Sequence, residues 1–424
     1  MHAIFSHFEQ LTKIPHCSHD AAALKDFLID FATRKGYRVQ SDSAGNILAT
    51  RGRPGLILQA HYDMVCVGRA PQIEIYEEEG WLTARDSTLG ADNGIGVAMM
   101  MTLMDAEAAC AFLFTADEEV GLIGANALAF DLPGRYMLNL DSEDEGEVYI
   151  GCAGGVDIFA QKRYRIEASD KPCYEIAVSG FPGGHSGVEI DKDIPNAIKY
   201  FARYCKDREI DIVSIEGGER INSIPTTVRA VLCSGETLPQ NDHVRVTAVA
   251  QGQHAIVESD AVIGMLDRCP HGVLAYNEVL AIPDRSLNLA QVSLKAGVCE
   301  VSVSARAMDA EGLAAVEDQM RAFFTSYGYK VKSEGKYPAW RPEINDFSKI
   351  VCGAVEEVFG ACSYKAIHAG LECAVISDLY PDIKIASIGP NIRSPHSTHE
   401  KVEIASVIKT FEAVEKIVER IAHV

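Results

Sequence analysis

Along the first forty residues the apolar positions fall at helical intervals. Phe5, Phe8, Leu11 and Ile14 form one stripe that Pro15 closes, and Leu24, Phe27, Leu28 and Phe31 form a second that Gly36 ends. Ser18 and Asp20 stand where caps of the second helix are expected. The period then shortens: YRVQSDSAGNILATRG alternates around Ala44, Gly45 and Asn46 and predicts a hairpin. The apolar run LILQA leads straight into His61, and residues 68–85 read as irregular. Residues 90–96 open a helix rich in Met and Ala, and the strand ACAFLFTA, a small-residue helix and the strand RYMLNLD follow. This alternation of strand and helix predicts an α/β fold with a largely parallel sheet.

From about Tyr174 the pattern changes to alternating strands with few helices, among them YEIAVSG, VRVTAVA and VSLKAGVCEVSVSARAM. Helical periodicity returns in FSKIVCGAVEEVFG, and the closing helix IASVIKTFEAVEKIVERIA is expected to pack on the first part of the chain. The order predicts a catalytic domain in two pieces, 1–170 and 338–424, with an α+β lid domain inserted at 171–337. A chain of 424 residues suits two domains.

A net charge of −21 argues against nucleic acid or an anionic membrane as partner, since both repel it. No apolar run approaches the roughly 20 residues needed to span a bilayer, and no basic, then apolar leader opens the chain, so a cytoplasmic protein is expected. The twelve cysteines lack a CxxC pair and are expected to be reduced and buried. His2, His7, His16, His19, His243, His254, His271 and His423 are expected to be surface or structural residues.

Four phrases change the picture. LQAHYDM, LGADNGIG, FTADEEVGLIGA and LNLDSEDEG each deliver a histidine or carboxylates where an apolar run ends. In an open α/β sheet ligands gather outside the carboxyl ends of the strands. His61, Asp92, Glu119 and Asp141 are therefore the first metal-ligand candidates. A dinuclear hydrolytic site needs a bridging carboxylate, end ligands on each metal and one unligated carboxylate to move protons. Asp92, at a tight turn, suits the bridge, and His396 can complete the second metal. Asp63 is placed to orient the His61 ring from behind. Adjacent Glu118 and Glu119 are expected to face different ways, one as ligand and one as base.

In LQAHYDMV, LGADNGIG, FTADEEVGLIGA, NLDSEDEGEVYIGCAGG, GGHSGVEI, HAGLEC and SIGPNIRSPHSTHEKVEI the chain resembles the aminoacyl-histidine dipeptidases (Xaa-His dipeptidase, peptidase D). These belong to the co-catalytic zinc metallopeptidase clan, with carnosinases, tripeptide aminopeptidases and aminoacylases. The resemblance implies one metal on His61 and Asp141, a second on Glu119 and His396, and Asp92 between them. It makes Glu118 the general base towards a metal-bridging water and Asp63 the helper behind His61. It also implies a cis peptide after Asp92, an oxyanion donor in His185, and substrate contacts from Asn222, Arg306 and Glu372, with His368 beside the last.

The expected activity is hydrolysis of dipeptides with a free amino terminus, Xaa-His or broad, with two divalent ions, zinc or else manganese or cobalt. A small peptide is the expected partner, and the resemblance allows a homodimer in which His185 acts in its own subunit or a neighbour's. The alternative within the clan is an N-acyl amino acid deacylase, against which Asp141 speaks, because the deacylases tend to carry Glu there. A rival class, a hydrolase using Cys152 or Ser186 as nucleophile, leaves the carboxylate set without a purpose. Three departures from the family pattern, a somewhat shorter chain, Tyr62, and KDIPNA after GGHSGVEI, bear on specificity.

Overall fold

The computed structural model describes residues 3–422, so His2 and His423 lie outside the described residues. The chain divides into two compact units: residues 1–152, 340–366 and 371–424 form the first, and 153–339 with 367–370 the second. The change comes earlier than the expected residue 171. The strand Gly154–Arg163 already pairs along its length with Val298–Ala307, and this ladder commits it to the second sheet.

The first unit is built on an eight-stranded sheet whose order runs Arg38–Ser41, Ile47–Thr50, Ala111–Thr115, Leu56–His61, Tyr136–Asn139, Lys384–Ser387, Glu147–Cys152, Ser363–Ile367. Its central pairings, from Ala111–Thr115 through Leu56–His61 and Tyr136–Asn139 to Lys384–Ser387, are parallel. The first two strands form the expected antiparallel hairpin, and Glu147–Cys152 is antiparallel to its Lys384–Ser387 neighbour. The α/β class holds, with parallel pairing concentrated where the strands are buried on both faces. Leu56–His61 is buried at every position, as a central parallel strand should be.

The helix Ala91–Asp105 is apolar on all sides because it is buried on all sides, with Val97 to Met101 essentially inaccessible. The last helix, Ile404–Ala422, buries Val407, Phe411, Val414, Ile417 and Ile421, spacings of four, three, three and four that make one stripe against the same core. Residues 68–85 are more ordered than expected. Ile75–Glu78 and Trp81–Ala84 form a hairpin in a small sheet completed by Lys401–Glu403 and Ile392–Arg393. That pairing ties the end of the chain to its beginning, and no local pattern announces it.

The second unit carries a nine-stranded antiparallel sheet, from Val244–Val249 at one edge to Lys330–Tyr337 at the other. The helices Ala197–Cys205, Ser259–Arg268 and Ala310–Ser326 cover it. KDIPNA is a helix entry here: the Asn196 side chain accepts hydrogen bonds from the N–H groups of Ile198 and Lys199.

The cysteines correct the expectation of uniform thiols. Cys17–Cys66, Cys173–Cys233 and Cys352–Cys362 are disulfides, while Cys110, Cys152, Cys205, Cys269, Cys299 and Cys373 are buried thiols. The partners are 49, 60 and 10 residues apart, and tertiary structure makes them neighbours; Cys173 and Cys233 are register partners in adjacent strands.

Candidate metal centre

His61 ends its strand fully buried, and its Nδ1 lies 3.0 Å from the main-chain oxygen of Asp63. That contact places the proton on Nδ1 and turns Nε2 outward, free to ligate a cation. The Asp63 carboxylate, expected to orient the ring, is further away at 3.6 Å. It does other work: its oxygens accept from the Ser18 hydroxyl at 2.8 Å, the Glu118 N–H at 2.9 Å and the Glu119 N–H at 3.4 Å. Ser18 is therefore no helix cap. The helix Ala22–Arg34 starts without a side-chain cap, and Ser18 is spent on Asp63.

His61 Nε2 lies 3.1 Å from Asp92 Oδ1 and 3.3 Å from Asp141 Oδ1. The other Asp92 oxygen lies 3.1 Å from His396 Nε2, which is also 2.9 Å from Glu119 Oε1. Asp92 thus gives one oxygen to each of two triads, His61 with Asp141 and His396 with Glu119. A third grouping joins His61, Glu118 and Glu119, their ligand atoms all within 4.8 Å of one another. The two glutamates accordingly do not face apart. They sit on a turn, with Asp117 at φ +50°, where the strand's alternation no longer applies.

The turns that deliver these groups are specialised. The Asp92–Asn93 peptide is cis, as the resemblance implies. Gly90 before it has φ +72°, and a Cβ there would meet Met64 Sδ at 3.0 Å. His396 has φ +57°, a region that a non-glycine residue occupies only where its surroundings hold it. Asn93 donates to the Leu140 carbonyl and, at 2.5 Å, to Asp141 Oδ1, so the residue after Asp92 steadies Asp141.

Charge dominates the centre. Burial works to raise the Asp92 carboxyl, but hydrogen bonds to His396 and His61 hold it far below the usual range. Burial works against charge on His396, yet Asp92 and Glu119 push it up to about 11. Burial raises the carboxyls of Glu118, of Asp141 to about 6 and of Glu143 to about 8, reinforced by neighbouring carboxylates. The site is short of positive charge. Each Nε2 faces two carboxylate oxygens, and Glu119 Oε1 is buried without an aligned donor. Buried acceptors converging from two sides on imidazole nitrogens fit a pair of divalent cations.

Glu372 is completely buried at the start of Glu372–Leu379. Its Oε2 accepts from Gln59 and Thr115, both at 2.6 Å, while Oε1 has no partner, and burial pushes its carboxyl up to about 7. Gln59 in turn accepts from Asn139, whose Oδ1 receives the Asp141 N–H, so a polar chain runs beneath the ligands. Gln59, Asn139, Glu143 and Glu400 carry no sequence signal beyond their place in or next to the motif phrases. Tyr62 turns away and donates to the Gly45 carbonyl.

In the second unit, His185 Nδ1 accepts from the N–H groups of Gly187 and Val188, both at 3.2 Å. This leaves Nε2 carrying the proton. The neighbouring Ser186 N–H donates to the carbonyl of Asn222, so those two loops are paired. Arg306 is buried, donates through Nη1 to Tyr337, and keeps Nε without a partner. His368 lies 2.7 Å from Ser286 in the same unit. Cys152 is wholly inaccessible and Ser186 is 2 % exposed, poor surroundings for a nucleophile.

The sequence matches peptidase family M20/M25/M40 over residues 57–420. The chain belongs to this family. It is 30% identical to the cytosol non-specific dipeptidase of Escherichia coli, over 94% of this chain and 93% of that protein. The aminoacylhistidine dipeptidase of Vibrio alginolyticus superposes with a TM-score of 0.83 at 29% identity, covering 99% of this chain and 96% of that one. Human carnosine dipeptidase 1, at 14% identity and a TM-score of 0.58 over 99% and 98% of the two chains, shares the fold. As an M20 peptidase the protein is a hydrolase acting on peptide bonds. No helix among its described residues is long and apolar enough to cross a membrane.

Proposed function

We propose that this M20 peptidase is a dinuclear metal dipeptidase acting on dipeptides with a free amino terminus, of Xaa-His type or broader. The observation that carries the reading is Asp92, one oxygen towards each of two histidine Nε2 atoms. His61 and Asp141 would hold one cation, Glu119 and His396 the other, with Asp92 between. Zinc suits this mixed set, and manganese or cobalt also fits. When bound, such ions polarise a scissile carbonyl and acidify an attacking water.

Glu118 would take a proton from the attacking water and pass it to the leaving amine. Its carboxyl lies in the ligand cluster and its main chain is fixed by Asp63. His185, protonated on Nε2, is assigned the oxyanion by resemblance, and Arg306 and Asn222 the substrate's terminal carboxylate and backbone. Glu372 is assigned the substrate ammonium; the support is its buried, partnerless Oε1. The name of the Escherichia coli relative supports dipeptides as substrates and a cytoplasmic location.

The test is hydrolysis of Ala-His, β-Ala-His, Cys-Gly, a tripeptide and N-acetyl-methionine by chelator-stripped protein, with and without zinc, manganese or cobalt. Metal-restored cleavage of the free-amine dipeptides is expected. Preference for the acylated compound would make the protein a deacylase, and activity untouched by verified metal removal would end the metal reading.

A further inference from the structure

Glu400 is 2 % exposed, and its carboxylate accepts hydrogen bonds from backbone N–H groups. Oε2 accepts from Leu89 at 2.7 Å and Gly90 at 3.0 Å, and Oε1 from Ala91 at 2.7 Å and Asp92 at 3.3 Å. Four consecutive amides converge on one side chain. The left-handed Gly90 helps turn them inward, and such a cradle fits a side chain that offers an acceptor on both of its end atoms. The turn so held is the one that carries Asp92.

The main chain of Glu400 is anchored as firmly. Its N–H donates to the carbonyl of Ser397, its carbonyl accepts from the Thr83 hydroxyl at 2.8 Å, and Lys401–Glu403 then pairs with Trp81–Ala84. His396 lies four residues upstream on the same loop. One short loop therefore presents His396 directly and clamps Asp92 at a distance of 308 residues in sequence.

We propose that Glu400 is a positioning residue that fixes the separation of Asp92 from His396 and thereby the affinity for the cation those two residues share. The inference rests on the dinuclear reading above. A glutamine at 400 keeps the size but sets an NH₂ group against two of the four N–H donors, so half the cradle is repelled. Aspartate keeps the charge on a shorter arm.

The experiment is cobalt(II) titration of metal-stripped wild type, Glu400→Gln and Glu400→Asp, followed by equilibrium dialysis and the cobalt d–d absorption. Val414→Ala, a core change in the last helix, is the control for lost stability alone. Glu400→Gln is expected to weaken the second equivalent by about 10- to 100-fold, the range for residues that orient ligands. Its d–d band should change and kcat should fall with little change in KM. Glu400→Asp should fall between, and it carries the test if the glutamine variant does not fold. Wild-type affinity and an unchanged spectrum in the folded variants would overturn the proposal, as would the same loss in Val414→Ala. A wild type that binds fewer than two cobalt ions would instead overturn the dinuclear reading, and this inference with it.

Discussion

Asp63→Asn separates two roles for a residue that sequence assigns to His61 and geometry assigns to Glu118. The native carboxylate accepts three hydrogen bonds, from Ser18, Glu118 N–H and Glu119 N–H, at 1 % exposure. Burial tends to raise this carboxyl, but contacts with His61, Glu118 and Ser18 bring it below the ordinary range, so the native group is the anion. In the variant, Oδ1 can still accept from Glu118. The new NH₂ can donate to Ser18 Oγ, which rotates to accept, but it then faces the Glu119 N–H donor to donor. One buried amide is orphaned and the two remaining hydrogen bonds become neutral, together costing about 1–3 kcal/mol. For a unit of this size that lowers the melting temperature by roughly 2–4 °C per kcal/mol.

The Glu118–Glu119 turn loosens by a fraction of an ångström, and kcat should fall roughly 10- to 100-fold. The His61 ring keeps its contact, because it bonds the main-chain oxygen of residue 63. Metal content measured by mass spectrometry should therefore stay at the wild-type value. Loss of the ion on the His61 side with turnover per bound metal unchanged would refute this reasoning and restore Asp63 to the role of a histidine orienter.

Glu118→Gln should keep bound metal and fold while losing about 10²- to 10⁴-fold in kcat, the usual worth of a positioned base; retained turnover would remove Glu118 from that role. His396→Ala should lower the bound-metal count by one and leave the His61 side occupied, as read by metal analysis after dialysis. In the second unit, burial depresses His271 to about 4 from an ordinary 6.5, and its Nδ1 accepts from the Leu289 N–H. The unfolded chain binds the extra proton between those values. Stability is thus complete above about pH 6.5, falls as pH drops towards 4, and loses at most about 3 kcal/mol to this group. His271→Asn, which keeps an acceptor, should flatten that part of the melting profile; an unchanged slope would rule His271 out. Thiol labelling of denatured, unreduced protein should count six free cysteines, and a count of twelve would refute the pairing.

What the sequence determined by itself is what repeats or what chemistry concentrates. Central strands such as Leu56–His61 are legible because a two-faced burial demands an unbroken apolar run, and the candidate ligands His61, Asp92, Glu119 and Asp141 stand out because each closes or opens an apolar element. The amphipathic last helix is legible for the same reason. Tertiary structure alone decided how backbone groups are spent. Asp63 and Glu400 look like ordinary polar residues until the fold surrounds them with N–H groups from 55 and more than 300 residues away. Glu118 and Glu119 share one site because a left-handed Asp117 breaks the strand's alternation. The disulfides and the hairpin at Ile75–Glu78 and Trp81–Ala84 escaped a local reading because their partners are distant in sequence, and a pattern along the chain carries no record of a partner met only in space.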